Sequence, residues 1–469
     1  MGLRLYNTLS KKVEDFKPIS KDVVKLFVCG PTVYDSSHLG HAKTYIQLDL
    51  LARVIQANEF NLIYLQNITD IDDKIIVRSK EQNIGWQELG NKYLEQYKKD
   101  MESLNNISVS KYAKASDYID KIIDQVSRLI DKKHAYKIQG DGIYFQISTF
   151  PEYGKLSGRT TIKEDDAQTR IDESENKRGW NDFCLWKFSK PGEPVWDAPY
   201  GAGRPGWHIE DTAITETEFG PQYDIHGGAI DLIFPHHEAE ITQMESLSGK
   251  KPLVRYWIHT GFLNTSDGKM SKSTGNFNTV QEVIEKGYDP ISIRLFMLQS
   301  HYRSSINFSF DNLDSAANRL RNWRNVAALR HQTHDTLRDD DNKSTDERSV
   351  SLYSTSQALI ETLNNDLDTP GALTIIDEAF SQLASSRLDD IHQHALTELL
   401  DTIDELLGLS LIRSTPDISD DAKKLVLKRK HARSNNDWKT SDRIRDELQK
   451  TYGIAVRDTQ SGSIWEYSD

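Results

Sequence analysis

The hydrophobic pattern is sharpest near the N-terminus. Val24-Lys25-Leu26-Phe27-Val28 is a short β-rich apolar run that predicts a buried strand, and Gly30-Pro31 ends it. Tyr45, Leu48, Leu51 and Ile55 then recur at three- and four-residue spacing, which predicts one face of a helix. A second β-rich run, Asn61-Leu62-Ile63-Tyr64-Leu65, follows after a short polar connection. Strand, helix, strand is a βαβ unit, so the pattern predicts a parallel sheet with a right-handed crossover. Residues 81 to 137 read as helical and charged. Asp141-Gly142-Ile143-Tyr144-Phe145 and the Gly- and Arg-containing stretch to Arg170 read as β structure with turns. Residues 171 to 206 carry Trp180, Trp186 and Trp196 among Gly and Pro, and read as an insertion whose tryptophans build core. Sheet and loop then return, and from about 311 the chain is helical, with Leu320, Trp323 and Val326 at helical spacing. Within that region Asp339-Asp340-Asp341-Asn342-Lys343-Ser344 predicts a disordered excursion. Ser414-Thr415-Pro416-Asp417 predicts a linker before a last small domain.

Length adds that one core cannot serve 469 residues, so two to four domains are expected. No apolar run is long enough to span a bilayer, and residues 1 to 20 hold no uninterrupted apolar stretch of the kind that directs secretion. Cys29 and Cys184 are the only cysteines, which excludes a disulfide framework and fits a reducing, cytoplasmic setting. The net charge of −13 excludes a globally basic surface. A local one remains: residues 421 to 457 hold eleven Lys or Arg against five Asp or Glu, with Trp438 among them. That is the best nucleic-acid surface in the chain, although a solvated charged helix has the same composition.

The candidate chemistry lies at the ends of the predicted strands. Cys29-Gly30-Pro31-Thr32-Val33-Tyr34-Asp35-Ser36-Ser37-His38-Leu39-Gly40-His41 runs from strand to helix start. Free N–H groups and the positive dipole end at such a start suit a phosphate, and Gly40 would let a flat base approach the backbone. Incidental histidines in a strand–helix turn are the alternative. Asn67-Ile68-Thr69-Asp70-Ile71-Asp72-Asp73-Lys74 sits at a strand's carboxyl end, where open α/β sheets bind ligands, and equally suits an N-capped helix. His236 and Glu240 are four apart, the spacing of a metal-ligand pair and also of a surface His–Glu pair. Gly268-Lys269-Met270-Ser271-Lys272-Ser273 is not a Walker A loop, since Met270 stands where Ser or Thr is needed. Its two lysines can still neutralise developing phosphate charge, or simply be solvated.

Together these segments resemble a family. His38-Leu39-Gly40-His41 resembles one signature of class I aminoacyl-tRNA synthetases, and Lys269-Met270-Ser271-Lys272-Ser273 matches the other residue for residue. Within that class, the segments Cys29–Asp35, Asn67–Lys74, Gly203-Arg204-Pro205-Gly206-Trp207-His208-Ile209-Glu210 and Phe234-Pro235-His236-His237-Glu238 resemble cysteinyl-tRNA synthetases, and the likeness runs on to Trp465. The resemblance implies an α/β fold: a Rossmann-like parallel-sheet catalytic domain with an insertion, then a helical bundle and a small C-terminal domain. The implied boundaries are 1–115 and 206–260 for the two catalytic halves and 116–205 for the insertion. The lysine loop and link would fill 261–310, the bundle 311–412 and the anticodon-binding domain 420–469.

The resemblance further implies that ATP and cysteine form cysteinyl-adenylate, and that the cysteinyl group then moves to the 3′ end of tRNA(Cys). In-line attack at phosphorus needs positioning and charge neutralisation more than a side-chain base. His38 and His41 would touch the phosphates, Gly40 the adenine, Lys269 and Lys272 the leaving pyrophosphate, and Asp231 the nucleotide or the amino group. Magnesium accompanies the ATP, and a cytoplasmic monomer is expected. Zinc selects the thiol in this family, because a soft thiolate binds it well and a hydroxyl does not. Its four ligand positions fall on Cys29, Asp211, His236 and Glu240. Asp211 stands where the family usually has cysteine. Three readings follow: Asp211 ligates zinc, the harder donor set takes another metal, or the thiol is recognised by shape with Trp207, Thr69 and Tyr34. Ala113-Lys114-Ala115-Ser116-Asp117-Tyr118-Ile119 also departs from the family's Pro-Arg-Ala-Thr-Glu-His-Ile, with no functional account. The rival readings are a cysteine:amino-sugar ligase of mycothiol synthesis, opposed by the basic tail with Trp438 and Trp465, and an inactive homologue, opposed by the intact His38, His41, Lys269 and Lys272.

Overall fold

The computed structural model describes residues 2–159, 174, 176–265, 268–270, 277–332, 347–386, 388–459 and 462–468. The chain forms two compact units: Met1–Gly287 with Ser300–Phe308 and Asn364–Leu367, and Tyr288–Gln299 with Ser309–Leu363 and Asp368–Asp469.

The first unit begins with a hairpin, β1 (Arg4–Asn7) and β2 (Lys12–Asp15). Then come β3 (Val23–Val28), α1 (Leu39–Ala57) and β4 (Asn61–Ile68), the expected βαβ unit. α2 (Asp73–Gln82), α3 (Trp86–Ser103), β5 (Lys111–Lys114) and α4 (Ile119–Asp131) follow. On α4 the buried Ile119, Ile122, Val126 and Leu129 repeat at three or four residues, so one stripe faces the core. β6 (Ala135–Ile138), β7 (Gly142–Phe145), β8 (Phe183–Phe188) and β9 (Gly203–Pro205) make a separate antiparallel sheet in chain order. The chain returns through α5 (Trp207–Phe219), β10 (Tyr223–Ala229), α6 (Glu238–Ser248) and β11 (Val254–Thr260). β12 (Leu263–Thr265), β13 (Gly268–Lys269), α7 (Val280–Glu285) and β14 (Ile306–Asn307) complete the unit.

The central sheet is parallel throughout, in the order β11-β10-β3-β4-β5. From β3 the chain steps outward to β4 and β5, then crosses to the other side for β10 and β11. The order reverses between β3 and β10, which opens a crevice at their carboxyl ends. α5 and α6 are buried over most of their length, including the polar Glu210, Asp211, Glu238 and Glu240. One large apolar cluster joins Phe27, Leu65, Ile122, Trp186, Ile209 and Trp257 beneath that edge.

The second unit is helical: α8 (Pro290–Leu298), α9 (Phe310–Ala327), α10 (Glu347–Asn364), α11 (Thr369–Ser385), α12 (Gln393–Leu407) and α13 (Leu411–Ser414). It closes with α14 (Asp420–Ser434), α15 (Trp438–Tyr452) and a hairpin of β15 (Ile454–Thr459) and β16 (Gly462–Tyr467). The expected linker is tied down. Arg330 donates to the Thr415 hydroxyl and carbonyl at 2.7 and 2.6 Å, and Thr415 is fully buried.

Two expectations change. Residues 81 to 137 are not helical throughout, because β5 pairs with β4 from Leu65↔Lys111 to Ile68↔Lys114. Its Lys111-Tyr112-Ala113-Lys114 is an edge strand with charged ends, which hides its β character. The departure at Ala113–Ile119 thus covers the end of an edge strand and its turn, where Ser116 holds Asp70 with its N–H and hydroxyl. The three tryptophans are not one cluster: Trp186 is fully buried, Trp196 meets Trp86 edge-on at 5.9 Å, and Trp180 is exposed. Residues 160–170, the end of the stretch read as β, and the Asp339–Ser344 excursion lie outside the described residues. Among the described residues no helix is long and apolar enough to cross a membrane.

Candidate active site and metal cluster

The site is assembled at the carboxyl edge of β3, β4 and β10. α1 opens with a capping box made by histidines: His38 Nδ1 accepts from the His41 N–H at 3.3 Å, and His41 Nδ1 accepts from the His38 N–H at 3.4 Å. The two rings stack at 3.8 Å. Gly40 has a reason beyond access for a base, since a Cβ there would lie 2.8 Å from the His38 ring. Described residues before and after positions 271–276 lie near this point. Met270 O lies 4.0 Å from where a Gly40 Cβ would sit, and beyond the loop Leu39 N–H donates to Asn278 O at 2.9 Å. Lys269 closes β13, while Lys272 lies outside the described residues.

Next to this helix start is a buried polar cluster. Cys29 leaves β3, Asp211 comes from the first turns of α5, His236 from the irregular turn before α6, and Glu240 from α6 itself. Donor atoms of all four lie within 4.8 Å of one another, and all four are buried. Asp211 Oδ2 is 3.4 Å from Cys29 Sγ and 2.9 Å from His236 Nε2. Glu240 Oε1 is 3.0 Å from His236 Nε2 and 3.9 Å from Cys29 Sγ. Asn67, at the end of β4, donates its amide to the other oxygen of Asp211 and accepts from the Gly30 N–H. A Cβ on Gly30 would lie 1.7 Å from Asn67 O, so only glycine allows β3 and β4 to close here. Asn67 therefore turns one Asp211 oxygen away and leaves Oδ2 to the cluster.

The cluster is one that could hold a metal ion. Burial pushes the Cys29 thiol well above its ordinary range, and Asp211 and Glu240 push it further. Burial raises Glu240 to about 7 against the pull of His236. Burial would depress His236, but Glu240 and Asp211 outweigh it and hold it up at about 9. Cys29, Asp211 and Glu240 share this space with three imidazoles, since His226 Nε2 and His237 Nε2 lie 3.3 and 3.2 Å from Cys29 Sγ, and a bound dication would favour the Cys29 thiolate and the Glu240 carboxylate. A tetrahedral ion with bonds of roughly 2.0–2.3 Å sets its ligand atoms on the order of 3.5 Å apart. The closest separations here, 2.9 to 3.9 Å, suit such an ion.

The remaining expected residues fall around this cluster. Trp207 stacks on His236 at 4.2 Å. Thr69 is buried, pairs across a bridge with Thr32 and faces Glu210. Tyr34 lies under the Lys74 ammonium, 5.5 Å from its ring centre. Asp231 is in the turn after β10, near His259, which burial depresses to about 3 against the pull of Asp231. Five histidines, His208, His226, His236, His237 and His259, are buried here, and sequence reasoning singled out only His236. Asn67 was likewise seen only as part of a polar run. The available signal was position: His259 lies next to the end of a parallel strand, on the edge where ligands bind, and His226 midway along its neighbour.

Comparisons with known proteins agree in kind. The family model described as tRNA synthetases class I (C) catalytic domain matches residues 15–318, and that of the cysteinyl-tRNA ligase anticodon binding domain matches residues 415–465. The chain is similar to the cysteine–tRNA ligase of Thermoplasma acidophilum, with 42% identity over 468 residues, 99% of this chain and 100% of that protein. Two structures of Mycobacterium tuberculosis methionyl-tRNA synthetase with methionyl-adenylate share the fold. One has a TM-score of 0.60 at 16% identity, covering 84% of this chain and 93% of the other. The second has 0.59 at 14% identity, covering 87% and 94%. The α/β parallel sheet, the polar edge it presents and these matches lead to one conclusion: the chain belongs to the cysteine–tRNA ligase family of class I tRNA synthetases.

Proposed function

We propose that the chain activates cysteine with ATP to cysteinyl-adenylate and passes the cysteinyl group to the 3′ end of tRNA(Cys), working as a cytoplasmic monomer. The observation that carries this reading is the nearness of Cys29, Asp211, His236 and Glu240 to one another, with Trp207 stacked on His236. When bound there, zinc supplies a soft Lewis acid for the substrate thiolate, so the thiol is chosen over a hydroxyl. Asp211 is the fourth ligand in this reading and keeps the anionic count that a cysteine would provide. Trp207, Thr69 and Tyr34 shape the side-chain pocket around it.

The nucleotide half of the reaction falls to α1 and the lysine loop. The helix start offers backbone N–H groups to the ATP phosphates, and His38 and His41 add imidazole contacts. Gly40 keeps the adenine side open, and Asp231 holds the ribose or the substrate ammonium. Lys269 and Lys272 close over the departing pyrophosphate, whose charge grows in the transition state, and magnesium travels with the ATP. The basic α14–α15 face, with Arg433 over the exposed Trp438, suits single-stranded nucleotides of tRNA.

Cysteine-dependent ATP–pyrophosphate exchange, with serine as the control, tests the first half, and charging of tRNA(Cys) tests the second. Exchange with cysteine and none with serine is expected. Exchange without charging would favour the amino-sugar ligase, and absence of both in well-folded protein would remove the reading.

A further inference from the structure

Lys43 is the only buried lysine among the described residues. It lies on α1, two residues after His41, and its ammonium donates to Gly261 O at 2.8 Å. Burial pulls that ammonium down to about 8, and among the described residues no carboxylate pairs with it. A buried charge without an acid is costly, and an apolar side chain would fill the space without that cost. What the ammonium adds is a charge-assisted bond to one particular carbonyl. Gly261 lies in the turn between β11 and β12, and β12 pairs with β13, Asn264 opposite Lys269. We propose that Lys43 is a positioning residue for adenylate formation, a reading that rests on the part proposed above for Lys269. Its bond to Gly261 O fixes the β12–β13 hairpin, which carries Lys269, against the histidine start of α1.

Three features support this. First, Lys43 acts with its neighbours on α1. Thr44 and Gln47 are also buried: the Thr260 hydroxyl donates to the Thr44 hydroxyl at 3.2 Å, and Gln47 donates to Ser300 O at 3.4 Å. Second, the carbonyl that Lys43 holds belongs to a tightly packed turn. Gly261 N–H donates to Tyr302 O at 2.8 Å, and a Cβ on Gly261 would lie 2.5 Å from Ser304 O, so backbone rests directly on backbone. Third, the path from that turn to Lys269 is short and bonded. Leu263 O accepts from the Met270 N–H at 3.0 Å, and Leu263 pairs with Ile306 on β14. The described chain after the lysine segment is tied to the same helix start, where Val280 N–H donates to Ser37 O at 3.4 Å. α1 thus carries the histidines at its first turn and holds the hairpin by its second.

The two half-reactions, measured separately in the full chain, test this, because pyrophosphate leaves only in the first. Lys43→Met keeps the length of the side chain and loses the donor, while Lys43→Arg keeps donor and charge. ATP–pyrophosphate exchange gives kcat and KM for the first step. Transfer to tRNA(Cys) is followed in a single turnover from enzyme-bound cysteinyl-adenylate, and native mass spectrometry counts bound metal. Lys43→Met should lower kcat for exchange by roughly 100-fold, the loss that about an ångström of misplacement brings. KM for cysteine, metal content and the transfer rate should keep their wild-type values, and Lys43→Arg should recover most of the exchange rate. A merely structural tie would lower exchange, transfer and metal content together, and that result overturns the proposal. So does a folded Lys43→Met protein with the wild-type kcat. If Lys43→Met does not fold, Lys43→Gln, whose shorter amide cannot reach Gly261 O in the same way, is held to the same split between exchange and transfer. A wild-type protein without any exchange would remove the proposed function and this inference with it, whereas the other adverse results overturn this inference alone.

Discussion

The helical unit and the edge of the parallel sheet bury charge in opposite ways. In the helical unit, Arg330 is buried, and its guanidinium is consumed by Ala327 O, Ile412 O and the hydroxyl and carbonyl of Thr415. Arg294 is fully buried and donates to Leu407 O at 2.6 Å. Arg429 makes a two-pronged pair with Asp458, both bonds at 2.8 Å. These cations end helices and fasten turns through hydrogen bonds made within the chain. At the edge of the parallel sheet, Cys29, Asp211 and Glu240 gather round imidazoles, and among the described residues no lysine or arginine bonds them. Satisfied buried charge is architecture. A buried group of acids and imidazoles that no such fastening uses up is one that could hold a metal cation.

That contrast can be broken, and the largest effect is expected at the cluster. Asp211→Ala or His236→Ala should strip the metal and lower cysteine-dependent exchange by more than the roughly 100-fold typical of losing a group that only supports a ligand. Discrimination against serine should fall with it. Metal content and exchange rates on the same samples check this. Asn67→Ala should come next. It frees the second oxygen of Asp211 without removing a ligand, so metal affinity should drop roughly 10- to 100-fold in chelator competition. The change should appear mainly in KM for cysteine, while KM for ATP stays.

In the helical unit the same kind of cut should act on stability. Arg330→Ala leaves buried carbonyls unpaired and loosens the Thr415 connection, at a cost on the order of 3 kcal/mol in denaturant unfolding. Metal content should not change. The smallest effect concerns pH. The Arg429 hydrogen bonds hold Asp458 down at about 2, against an ordinary 3.8. A carboxyl depressed in the folded state adds stability above its ordinary value and loses it as pH falls through the folded one. The C-terminal hairpin should therefore weaken between about pH 4 and about pH 2, by on the order of 1 kcal/mol after screening of a partly exposed group. Asp458→Asn should flatten that limb in Trp465 fluorescence.

Legibility followed the length of the pattern that carried each feature. β3, α1 and β4 were readable because apolar periodicity repeats over tens of residues, and His38 was placed at the helix start because Gly30-Pro31 marks the turn before it. β5 was not, because four residues with a lysine at each end carry too little pattern to separate strand from helix. Cys29, His236 and Glu240 could be chosen by residue type, short spacing and resemblance. His226, His237 and Asn67 could not be assigned a place in the cluster, because nothing local separates an inward-facing histidine or asparagine from any other.

From the sequence alone came the βαβ start, the split between sheet and helices, the family resemblance, and the unusual aspartate at 211. Only the tertiary structure decided that Asp211 points one oxygen into the cluster, that Asn67 holds the other, and that two further imidazoles reach Cys29. The physical reason is range. Periodicity and capping act between residues a few positions apart, whereas the cluster joins Cys29 to Asp211 across 182 positions and to Glu240 across 211. Such contacts exist only once parallel strands have set their register, and no local stretch of chain encodes them.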